Sequence, residues 1–168
     1  SNKLKVIKQC DSSNDSSNDS SNDSSNDSSN DASINRWGTK MAFLINYIKN
    51  LNPDDSIIVF SQWDSMLKLA SKVFDAVDIN HVFLNGNMHV VTSKIRKFKC
   101  DPTINVAMLS SDRASSGLNL TNANHIILLD TCHDKNIEIQ AIGRTVRLGQ
   151  TRQTQVTRLI VNDTVEFD

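Results

Sequence analysis

The residues able to do chemistry gather where three apolar runs end. Arg144 and Arg147 stand three apart, which puts both on one face of a helix. Two guanidiniums on one face can clamp a polyanion, and such a pair can stabilise charge on a transferring γ-phosphoryl group. A surface helix with unpaired arginines, stopped at Gly149, has the same spacing. Upstream, the run IIVFSQW at 57–63 delivers Ser61 and Gln62 to the end of a strand. Small polar groups at a helix start suit a phosphate oxygen, and a helix cap by Ser61 explains them equally well. Between the two lies MLSSDRASSGLNLTNANHIILLD at 108–130, where an apolar strand runs into Ser110, Ser111 and a polar loop. Such a loop can present backbone N–H groups to an anion. Gly117 permits close approach or positive φ, and Asn119 and Thr121 can donate to phosphate or sugar. A polar connecting loop is the alternative reading.

These groups need elements to hold them. Met41, Leu44, Ile45 and Ile48 recur at helical spacing, and Asn52-Pro53 ends that helix. Residues 56–60 form a short apolar run, a buried strand. Leu67, Ala70, Val73 and Phe74 line a second helix. Residues 80–84 read as a strand that turns at Asn85-Gly86, and Val91, Ile95 and Phe98 mark a third helix. Further strands are expected at 104–109, 123–130 and 155–161, with a helix over 137–147. Strands apolar on both faces that alternate with helices predict a mainly parallel sheet covered on both sides, a three-layer α/β domain. Trp37 and Trp63 are read as packing residues, with base stacking as the lesser alternative. Asp54-Asp55 reads as a turn.

Composition narrows the classes. The 168 residues are 38% hydrophobic and 22% charged, with net charge −1. Residues 11–31 are repeats of Asp-Ser-Ser-Asn closed by Asp31 and hold no apolar side chain. That tract cannot bury surface to offset its ordering entropy and is expected to be disordered. No structure is assigned to residues 1–10, and one domain is expected over 32–168. No apolar run approaches the length of a membrane span. Cys10, Cys100 and Cys132 are odd in number and far apart, which argues against a disulfide framework or a zinc finger. A reducing compartment, nucleus or cytosol, follows. The Asn-rich composition and short repeat would also suit an AT-rich genome, such as a protist or a large DNA virus, and in the latter case a viral factory or virion. Lys94, Arg96, Lys97 and Lys99 form a basic cluster that could meet phosphate or simply face solvent.

The order of the three chemical features resembles motifs IV, V and VI of superfamily-two helicases, and most closely the Swi/Snf-type DNA-dependent ATPases. The resemblance rests on FSQW at 60–63, LNGNM at 84–88, GLNLT at 117–121, QAIGR at 140–144, RLGQ at 147–150, RLI at 158–160 and DTVE at 163–166. It implies the second, RecA-like lobe of a two-lobe motor. Arg144 and Arg147 then match the arginine fingers of motif VI, supported by Gln140 and Gly143. Gly117, Asn119 and Thr121 match the motif V residues that couple ATP to DNA. Ser61, Gln62, Ser110 and Ser111 match contacts to DNA phosphates. The implied partners are an N-terminal RecA-like lobe and duplex DNA, with chromatin or the transcription machinery beyond.

Two stretches depart from the family pattern. The usual KAGG aligns with residues 112–115 (DRAS), and DPWWNP aligns with residues 130–135 (DTCHDK), so both tryptophans are missing. These changes motivate a second reading, a non-catalytic docking module derived from such a lobe. The chain also contains no GxxxxGK[ST] phosphate loop and no DExH box. ATP and Mg2+ are therefore expected to be bound mainly by the first lobe, and these residues alone are expected to be inactive.

Overall fold

The computed structural model describes residues 4–10 (backbone only), 37–110, 113, 118–131, 136, 139, 142–143 and 152–161. Among the described residues these elements follow one another: β1 (Leu4–Cys10), α1 (Thr39–Lys49), β2 (Ile57–Ser61), α2 (Asp64–Ala76), β3 (His81–Phe83), α3 (Met88–Cys100), β4 (Val106–Ser110), β5 (His125–Leu128) and β6 (Gln155–Val161). The strands form one sheet in the order β1-β6-β5-β2-β4-β3. Strands β2 to β6 pair in parallel, while β1 runs antiparallel to β6 from Leu4 opposite Val161 to Cys10 opposite Gln155.

Alternation along the strands makes the two cores. Ile57 and Val59 of β2 point to one side with Met41, Leu44 and Ile45 of α1 and with Leu67 and Phe74 of α2. Ile58 and Phe60 point to the other side with Val91 and Phe98 of α3 and with Leu118 and Leu120. Every residue of β2, β4 and β5 is buried, as expected for parallel strands covered on both faces. The layers are helix, sheet, helix, which is the three-layer RecA-like arrangement expected.

Local chemistry sets the helix starts. Asn87 caps α3 by accepting the Val90 N–H at 3.0 Å, so the preceding turn ends cleanly. That turn needs Gly86, whose φ is +104°. Lys94 reaches back over it and donates to the Phe83 carbonyl and to Asn85 Oδ1, each at 2.6 Å. Lys94 is thus a clamp on the turn after β3 and not part of an outward basic patch. Its partial burial pulls the ammonium below the ordinary lysine value. Arg96, Lys97 and Lys99 do face solvent, and Lys97 and Lys99 lie in the last turn of α3, where cations complement the helix dipole.

Two further features depart from the sequence reading. Leu4–Cys10, to which no element was assigned, is the edge strand of the sheet. Trp63, read as a packing residue, is 59% exposed, whereas Trp37 packs against the core on the α1 side. The tract at 11–31 lies outside the described residues.

Candidate nucleotide-facing and DNA-facing edge

In a parallel sheet the carboxyl ends of the strands share one edge, and this is where doubly wound folds place ligands. Ser61 ends β2 and Ser110 ends β4, and the two are paired in register. Both are buried, Ser61 to 1% exposure and Ser110 to 8%. Next to them β5 passes through Leu129 to Asp130. The Asp130 carboxylate lies against the end of β2. It accepts the Gln62 N–H, at 2.9 Å on one oxygen and 3.2 Å on the other. It also takes a hydrogen bond from the Ser61 hydroxyl. Ser61 Oγ in turn accepts the Trp63 N–H at 3.0 Å. Trp63, not Ser61, is the N-cap residue of α2, and its carbonyl receives the Met66 and Leu67 N–H groups. On the other flank Lys40, in the first turn of α1, donates to the Leu129 carbonyl at 2.8 Å.

The sequence-predicted residues divide accordingly. Ser61, Gln62 and Ser110 meet at the carboxyl edge. Ser61 and Gln62 were the residues expected near a DNA phosphate, and the Ser61 hydroxyl and the Gln62 backbone N–H are engaged by Asp130. The Gln62 side chain is half-buried. Asn119 is exposed and accepts the Thr121 N–H at 3.2 Å, a local turn. Thr121 stands at the opposite edge, in a groove shared with Pro53, Asn105 and Arg152, all of which precede strands. It is therefore separated from Ser61 and Ser110 by the depth of the sheet. Gly143 is an exposed helical residue, and a Cβ there would meet nothing within 4 Å among the described residues. Crowding among those residues thus does not explain why this position is glycine. Ser111, Gly117, Gln140, Arg144 and Arg147 lie outside the described residues.

Sequence reasoning did not single out Asp130 as a site residue. Its one local signal is a carboxylate directly after the apolar run HIILL. The amino edge holds a second network that was also missed. Asp55 accepts from Asn124 at 2.6 Å and lies 3.5 Å from His125 Nε2, while His125 Nδ1 meets the Tyr47 hydroxyl at 3.1 Å. Burial alone would push the Asp55 carboxyl up. The hydrogen bond from Asn124, the charge of His125 and the hydrogen bonds from Asn52 and His125 outweigh it and hold the carboxyl below its ordinary value.

The model of the helicase conserved C-terminal domain family matches residues 39–149, which takes in α1 through the strand ends just described. The chain belongs to this family. The helicase lobe is 35% identical over 132 residues to the DNA repair protein rad8 of Schizosaccharomyces pombe, covering 76% of this chain and 12% of that protein. It is 35% identical over 138 residues to the ATP-dependent helicase IRC20 of Saccharomyces cerevisiae, itself uncharacterized, covering 77% of this chain and 9% of that protein. The lobe spans a small part of the length of these relatives. Among solved structures, the C-terminal part of the Fun30 ATPase domain superposes with a TM-score of 0.72 at 27% identity, covering 76% of this chain and 42% of that one. The Swi/Snf-type resemblance read from the motifs and the RecA-like fold are thereby shown.

Proposed function

We propose that this helicase lobe is the second half of an ATP-dependent motor that tracks along duplex DNA. The observation that carries the reading is the family match over 39–149, a span that includes the whole QAIGR motif and both arginines. The family and its ATP-dependent relatives support nucleotide use by the whole protein.

In this reading Arg144 and Arg147 reach the γ-phosphate when the two lobes close, with Gln140 and Gly143 supporting them. Gly117, Asn119 and Thr121 couple that event to DNA, Thr121 from the amino edge through its turn with Asn119. Ser61, Gln62, Ser110 and Ser111 form the edge that follows the tracking strand. Contacts to the backbone imply slight sequence preference and strong salt dependence. ATP and Mg2+ are held mainly by the N-terminal RecA-like lobe. The described residues fit that division. At the carboxyl edge they offer hydroxyl and amide groups, and the Asp130 carboxylate is already bonded to Ser61 and Gln62. With that carboxylate engaged, the set does not suit coordination of a magnesium ion. The lobe alone is inactive in this account.

The partners are that first lobe and duplex DNA, with chromatin or transcription complexes as the setting and the nucleus as the compartment. The fungal and plant relatives support a nuclear protein and give the viral source no support. The altered stretches at 112–115 and 130–135 keep a docking module as the second reading.

The test is ATP turnover by the protein with both lobes present, measured without DNA, with single strands and with duplex. Wild type should be stimulated by duplex. Arg144→Ala should lower turnover by about 10³–10⁵-fold, the worth of an arginine finger. Duplex binding with no turnover in either protein would favour the docking module.

A further inference from the structure

The turn after β2 contains a built anion cradle, and the chain fills it with its own carboxylate. Ser61 is 1% exposed, so no external phosphate meets its hydroxyl while Asp130 is in place. The Gln62 N–H is directed at both oxygens of the same carboxylate. What the turn leaves outward is the Trp63 side chain, 59% exposed at the start of a 13-residue helix. Its backbone is fixed from two directions, by Ser61 Oγ on its N–H and by the helix N–H groups on its carbonyl. A large aromatic ring on a pinned backbone loses little further entropy when it binds, and this is the character of an anchor residue. The indole N–H is a donor with no acceptor function, suited to a phosphate oxygen, and the ring face suits a deoxyribose.

We infer that Trp63 is the group this turn presents to the DNA backbone, and that Asp130 is its positioning residue. The inference rests on the duplex-binding reading above and corrects which atoms of the turn make the contact. It has a consequence opposite in sign to simple electrostatics. Removal of a negative charge beside a bound polyanion tightens binding when charge alone matters. Loss of a positioning carboxylate weakens it.

The experiment measures the dissociation constant of a fluorescently labelled duplex for the two-lobed protein at fixed salt, together with its unfolding midpoint. Trp63→Ala is expected to weaken binding about tenfold with an almost unchanged midpoint, as for truncation of an exposed anchor. Asp130→Ala is expected to weaken binding in the same direction. Asp130→Asn is expected to fall between it and wild type, because the amide oxygen can still accept from Gln62. The double variant Trp63→Ala/Asp130→Ala should bind no more weakly than the weaker single one, since both act through one contact. Tighter binding by the Asp130 variants, or unchanged binding by Trp63→Ala, overturns the inference while wild type still binds duplex. A wild-type protein that does not bind duplex overturns the parent reading and the inference together.

Discussion

The ladder between β2 and β5 is held by an aspartate at each end, and the two ends do different things. At the amino end Asp55 precedes β2 and reaches across to Asn124 and His125 at the start of β5. Its partners on β5 turn inward, while Asn52 and Arg152 reach it from the solvent side. Asn124 also accepts the Ser56 N–H at 3.0 Å, and His125 is closed off by Tyr47, which approaches it edge-on. At the carboxyl end Asp130 follows β5 and reaches back to Ser61 and Gln62, yet the next residue in the chain, Trp63, stands in solvent. The same device makes a closed staple at one end and a platform at the other. In the proposed reading, the side chain left outward by the pinned backbone, more than the polar groups doing the pinning, marks the end that meets DNA.

Asp55→Ala should have the largest effect on stability, about 2 kcal/mol, because it leaves Asn124 and His125 without their shared acceptor in a nearly closed site. Denaturant unfolding reads that loss, and duplex affinity should be unchanged. The staple should also fail in acid. A carboxyl whose folded value lies below its unfolded one contributes stability above the ordinary 3.8 that is lost as pH falls through the folded value. The stability gap between wild type and Asp55→Asn should therefore close in that range, and a gap that persists at lower pH would remove the carboxylate from the account. The Arg152 guanidinium, 3.7 Å from Asp55 and half exposed, should matter little.

Smaller effects sharpen the other end. Gly86→Ala should cost about 1 kcal/mol, since its φ of +104° strains an L-residue and the new Cβ would lie 3.4 Å from Val90 Cγ1. Trp63→Ala should change stability by no more than about 0.5 kcal/mol, because the ring buries little. A larger loss on thermal unfolding would make Trp63 a structural residue and sink its proposed role.

Much of the fold was legible because parallel strands write themselves as apolar runs. Strand β6 was read at its observed bounds, and β2, β4 and the first three helices differ from their readings only at their ends. Strand β1 was not legible. LKVIKQC carries two lysines and no alternation, and it becomes a strand only by pairing with β6, far along the sequence. The site was legible in residue type but not in partnership. Ser61 and Asp130 are 69 residues apart, as are Asp55 and Asn124, so no local pattern announces either hydrogen bond. Trp63 was misread because a tryptophan in an apolar context is expected inside. The motif puts Thr121 with Gly117 and Asn119 along the chain, and only the folded sheet shows that it stands at the amino edge.

The most direct test places the two aspartates side by side. Asp55→Ala and Asp130→Ala would each be measured for unfolding midpoint and for duplex affinity in the two-lobed protein. The account predicts that Asp55→Ala loses stability and keeps its affinity, while Asp130→Ala loses affinity about tenfold beyond any change in stability. Equal affinities in the two variants, or tighter binding by Asp130→Ala, would contradict it.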